Sequence, residues 1–124
     1  MKNIIVATLI IMILFSTWFL SSCGTKTGVF GQPVTEAITT RIGDILAHPA
    51  QFTAKAVKIE GKITEECPAG GWFMLKDESG IIYVDLHASY FAIPQAVGSR
   101  AVAQGIVKKE GTQVSITGKG VQIK

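Results

Sequence analysis

Cysteine is scarce in this chain: there are two in 124 residues, Cys23 and Cys67. No paired Cys spacing exists, so a four-ligand zinc site has no framework, and pairing Cys67 with His87 does not supply one. No metal and no cofactor is expected. Histidine is equally sparse, with His48 and His87 outside any recognisable motif. A nucleophile needs a base within hydrogen-bond reach, so the sequence offers little to build an enzyme on, and none is expected. Ser79 sits where a turn favours serine. Asp77 and Asp85 are too ordinary for an acid/base pair, and Glu65-Glu66 reads as a solvated loop. Charge is thin as well: Lys and Arg number 12 against 9 Asp and Glu. No basic block stands out, which argues against an electrostatic hold on nucleic acid. Internal repeats and low-complexity tracts are missing too.

The long hydrophobic run is the exception. Residues 4–20 carry no charge, and Lys2 stands just before them. A positive start, an apolar stretch and small residues after it describe a secretory signal. The run also approaches the roughly 17–25 residues of a membrane-spanning helix, so an uncleaved signal anchor is the alternative. The flank separates the two. It reads Leu20-Ser21-Ser22-Cys23-Gly24, which resembles the lipobox of bacterial lipoprotein precursors: a large aliphatic residue, two small ones, then Cys. The resemblance implies a diacylglyceryl group on the Cys23 thiol, cleavage before Cys23 and acylation of the new amino group. Two or more acyl chains give stable anchoring where one does not. The implied address is the cell membrane or outer membrane, with the chain facing the periplasm or the exterior; Gly24 after the lipidated residue leans toward the outer membrane. Cleavage would remove Lys2 and Trp18, leaving 11 basic against 9 acidic residues, with Trp72 as the remaining tryptophan. Cys67 would then be the remaining free thiol, with no intrachain disulfide possible.

The division that follows is a signal peptide over 1–22, a lipidated N-terminus and flexible tether over 23–39, and a folded domain over 40–124. The tether is read from Gly, Thr and Pro33 without a hydrophobic period. Thr40 is a candidate N-cap for a short helix with Ile42, Ile45 and Leu46 on one face, ended by Pro49. From Ala56 the period becomes two: Val57, Ile59, Gly61 and Ile63 alternate with Lys58, Glu60, Lys62 and Thr64, as in a half-buried strand. Gly61 inside it signals a bulge or bend. Trp72 to Lys76 and Ile81 to Leu86 make a hairpin around Asp77-Glu78-Ser79-Gly80. A fourth strand covers Arg100 to Lys108, with Gly105 inside it. The last runs from Gln113 toward Ile123, interrupted at Gly118-Lys119-Gly120. Short strands with internal glycines suggest a small barrel coiled by bulges.

Gly61-Lys62-Ile63, the stretch from Trp72 to Val84, and Gly105-Ile106-Val107 resemble an OB-fold domain of the anticodon-binding-like branch. The resemblance covers about residues 42–123. It implies an all-β domain with a short N-terminal helix, built as a five-stranded OB-fold Greek-key barrel. One fold hosts many unrelated sites, so it speaks to function only by analogy.

OB domains bind on the face of their second and third strands. If Phe73, Leu75, Ile82, Val84 and Leu86 point inward, then Trp72, Met74 and Tyr83 share the outer face, with Lys58 and Lys62 on the neighbouring strand. That makes an apolar, stacking-capable platform with a polar rim. The plainer reading covers Trp72 with the helix or the His87–Gly98 connection and leaves Tyr83 as an ordinary strand aromatic. The functional expectation is a lipid-anchored binding module for an envelope protein, peptide or glycan. Oligonucleotide binding follows from the fold by analogy, and an envelope stress or assembly role without a discrete ligand is the third option.

Overall fold

The computed structural model describes residues 27–124 and, apart from them, Asn3. The segments expected to form a signal peptide and a lipobox, and Cys23, lie outside the described residues. Six strands and two short helices follow in order: β1 (Gly28–Gly31), α1 (Ile42–Ala47), α2 (Pro49–Phe52), β2 (Ala56–Glu66), β3 (Trp72–Lys76), β4 (Ile81–Asp85), β5 (Arg100–Glu110) and β6 (Gln113–Ile123). The strands order as β1-β6-β4-β3-β2-β5, and β5 pairs β6 to close the ring. β4 and β6 run parallel, while the other pairs are antiparallel. A closed five-stranded Greek-key barrel of β2 to β6 with this order is an OB-fold, as the sequence pattern implies.

Alternation builds the core. Ile59, Ile63, Phe73, Leu75, Val84, Leu86, Ile116 and Val121 are fully buried, and their neighbours on each strand face outward. β2 is long enough to serve two partners. Its residues Ala56 to Lys62 pair with β5, and Lys62 to Glu66 pair with β3. Gly61 sits where the partner changes, and a Cβ there would run into the Lys76 carbonyl. The bulge expected at Gly61 lies three residues later: Ile63 faces Leu75 and Glu65 faces Met74, so Thr64 is the extra residue. β6 is not interrupted at 118–120. Gln104 faces Gly120 and Gly105 faces Gly118, so Lys119 bulges out and the strand continues.

The helices plug one end of the barrel. Ile42 and Ile45 are buried in the core, whereas Leu46 stays partly exposed. The helix N-cap is Arg41, not Thr40, and its side chain caps nothing. Thr40 instead donates its backbone N–H to the Lys58 carbonyl. The β3–β4 turn does the capping: the Ile42 N–H donates to Asp77 Oδ2 at 2.9 Å and the Gly43 N–H to Ser79 Oγ at 2.7 Å. Asp77 Oδ1 also accepts from the Ser79 N–H and hydroxyl and from the Gly80 N–H. Burial pulls the Asp77 carboxyl upward, but these donors outweigh it and hold it below its ordinary value. After His48, Pro49 opens α2, a place where its missing N–H costs nothing.

The tether reading needs correction from Gly28 onward. Gly28 to Gly31 form a strand on β6, with Gly28 facing Ile123 and Gly31 facing Gly120. The following segment stays on the barrel wall: Thr35 and Glu36 donate their N–H groups to Gln104 Oε1, and Thr39 bridges Lys58. The cause is geometric. β4 ends at Asp85, so beyond Thr117 β6 keeps β5 on one edge but has no β4 partner on the other, and residues 28–31 satisfy the backbone groups of that free edge.

Candidate functional site

The outer face of the barrel across β2, β3, β4, β6 and β5 carries two rows of side chains. The first row reads Glu65, Met74, Tyr83, Ser115 and Lys108, each facing the next across a strand pair. The second reads Trp72, Asp85, Thr117 and Ile106. With strands about 4.8 Å apart, the first row follows an arc of roughly 20 Å around the barrel wall. The structure therefore brings Trp72, Met74 and Tyr83 together, all half-buried. The Trp72 and Tyr83 rings lie 5.5 Å apart at an interplanar angle of 31°. That places the pair on a diagonal across β3 and β4, where large side chains reach each other.

Burial raises the Tyr83 hydroxyl above its ordinary pKa, and the charges of Asp85 and then Cys67 add to it. Asp85 is itself anchored. Its Oδ1 accepts the His87 backbone N–H at 2.9 Å and stands 2.8 Å from His87 Nδ1. Burial works against the Asp85 charge, but the His87 backbone and ring, with Lys108 beyond, leave the carboxyl below its ordinary value. The His87 ring rests over the backbone of Gly71, the residue before Trp72: a Cβ there would stand 2.5 Å from Nε2.

The β2–β3 loop frames the upper edge. Cys67 is half-buried, and its N–H donates to the Trp72 carbonyl. The β4–β5 connection latches this loop: Gln95 Nε2 donates to the carbonyls of Cys67 and Pro68, and the Ala96 N–H donates to Glu66 Oε2 at 2.7 Å. Neither α1 nor this latch removes Trp72 from solvent.

The two lysines part company with the aromatics. Lys58 lies on the half of β2 that pairs with β5, opposite Gln104, and its Nζ donates to the Ala37 carbonyl at 3.2 Å. It belongs to the wall covered by the N-terminal segment. Lys62 stands at the margin, facing Lys76 and Arg100, next to Glu60, which Lys124 and Arg100 bind. The cation on the platform row is Lys108, which also pairs with Glu110 at 2.8 Å. Ser115 and Thr117 carry no signal of their own in the sequence. Alternation places Asp85 outward, but the parallel β4–β6 pairing that adds Ser115 and Thr117 leaves no local mark.

No protein-family model matches the chain, and no curated protein sequence does. Solved structures share its fold. A hypothetical protein from E. coli, ygiW, is 22% identical with a TM-score of 0.52, covering 75% of this chain and 100% of that one. A putative aspartyl-tRNA synthetase from Leishmania major Friedlin is 16% identical with a TM-score of 0.50, covering 74% of this chain and 22% of that one. Both likenesses concern the OB-type barrel alone.

Proposed function

We propose that this chain is a lipid-anchored, non-enzymatic binding module of the bacterial envelope, which receives a peptide, protein segment or glycan on the Trp72, Met74 and Tyr83 face. The observation that carries the reading is the composition of the two rows. Paired, tilted aromatics and a thioether lie beside hydroxyls, two carboxylates and one ammonium group, an arrangement suited to a ligand of mixed polarity. The stretch of the first row from Glu65 to Ser115 covers four strands, an arc of roughly 14 Å that accommodates a few extended residues or sugar rings. The Leu20 to Cys23 motif supports the anchor and the envelope address.

Oligonucleotide binding is the weaker reading. It rests on the fold, and one neighbour's name contains a tRNA synthetase. Polyanions need several phosphate-reaching cations, whereas Glu65 and Asp85 outnumber Lys108 on the face, and Lys58 is turned to the Ala37 carbonyl. An envelope stress or assembly role is compatible with the module and needs no separate site.

The test is a titration of Trp72 fluorescence in the lipidated protein with envelope-derived peptides, muropeptide fragments and single-stranded oligonucleotides. A saturable shift with a peptide or glycan, lost in Tyr83→Ala, supports the proposal. A response confined to oligonucleotides and steeply salt-dependent would replace it with the second reading.

A further inference from the structure

Docking of the N-terminal segment on β6 has a consequence for how the barrel meets the membrane. A tether of residues 24–39 would reach roughly 55 Å when extended, enough to let the domain turn freely. With Gly28 fixed on Ile123, five Cα steps separate it from Cys23, a reach of at most about 18 Å. We propose that the β1 end of the barrel rests on an anionic phospholipid surface, with Tyr90 entering the headgroup layer. This rests on the reading of Cys23 as lipidated.

Three observations point the same way. Tyr90 is 96% exposed and has a positive φ of 57°, a conformation that a bulky residue seldom adopts. Strain of that kind survives where neighbours hold it. Here Phe91 packs against Gly31 of β1 and fixes the tyrosine beside the strand that leads to the tether. Tyrosine is at home at a membrane interface, its ring in the apolar boundary and its hydroxyl in water. Second, Val29 on β1 is 56% exposed, and among the described residues no strand pairs with the far side of β1. Third, the strand ends beside Gly28 and Ile123 carry Arg41, Lys62, Lys76, Arg100 and Lys124 against Glu60, Asp77 and Glu78, a positive excess that suits an anionic leaflet. The opposite end of β6, at Gln113, lies roughly 30 Å along the strand from Ile123 and roughly 20 Å from the Gly118–Gly120 stretch beside Tyr90.

The test uses the full chain matured in bacterial membranes and reconstituted in vesicles of phosphatidylglycerol and acyl-brominated phosphatidylcholine. In a Trp72→Phe background, Tyr90→Trp should lose emission to the bromolipid and Gln113→Trp should not. The loss should shrink when phosphatidylglycerol is left out. In the unaltered chain, the amides of residues 88–92 should exchange more slowly on these vesicles than in detergent, while those of 110–113 do not change. Mass spectrometry of Cys23 separates the two ideas. An unmodified Cys23 sinks both the anchor and the resting surface. A lipidated Cys23 with equal, unquenched emission at 90 and 113 and unchanged exchange overturns the resting surface alone. Protection of residues 88–92 by an envelope protein or glycan but not by vesicles also overturns it.

Discussion

Removing the Asp77 carboxylate should loosen the helical plug. Asp77 accepts from the Ile42 N–H, the Ser79 N–H and hydroxyl, and the Gly80 N–H, so Asp77→Ala strips four donors of one acceptor group. A net hydrogen bond contributes about 0.5–1.5 kcal/mol, more to a charged acceptor, and a lost helix cap costs about 0.5–2 kcal/mol. Asp77 is half-buried, so water replaces part of what is lost. The expected cost is about 2 kcal/mol. For a domain of this size that lowers Tm by roughly 8–16 °C. Asp77→Asn keeps one acceptor oxygen and should fall between the two. The sign of the pH dependence follows from the depressed carboxyl. The part of its stabilisation that depends on the charge is present above the ordinary value of 3.8 and is lost as pH falls through the lower folded value, so the wild-type advantage over Asp77→Ala should shrink in strong acid toward that of Asp77→Asn. Thermal circular dichroism at neutral pH and down the acid limb reads both effects. A drop of less than about 2 °C at neutral pH would refute the claim that the β3–β4 turn holds α1 on the barrel.

Two further outcomes are open to simple assays. Gly61→Ala places a methyl against the Lys76 carbonyl where β2 changes partner, and should cost about 2–3 kcal/mol in a urea melt; a neutral result would show that β2 can shift there. Tyr83 should ionise above 10.0 in an absorbance titration, so stability should be fully present below 10.0 and decline as pH rises through the folded value, a decline absent in Tyr83→Phe.

Much of the barrel is readable in the sequence because alternation is a strong signal. Val57, Ile59 and Ile63, and Ile82 with Val84, are buried as their period demands. The hairpin at Asp77 to Gly80 announces itself by turn chemistry, and its outer face delivers Trp72, Met74 and Tyr83 together. Alternation tells inside from outside, but not which neighbour a strand meets. Lys58 and Glu65 both face outward from β2, yet one looks onto β5 and the other onto Met74, because the strand changes partner in between. The same limit hides Thr64, whose bulge shifts the register without a glycine to mark it. β1 escapes notice because four residues flanked by glycine carry too little pattern, and because its partner is the last strand of the chain. The cap on α1 comes from a residue 35 positions away, which no local rule anticipates.

The most direct measurement of the binding claim is site-specific photocrosslinking in living cells, with the photoreactive residue placed at Met74 on the platform or at Lys58 on the wall covered by residues 37–39. Crosslinked adducts at position 74, lost when Trp72 is also replaced by Ala and absent at position 58, are the predicted result. Equal labelling at both positions, or none at 74 under any growth condition, would contradict a binding face on this hairpin.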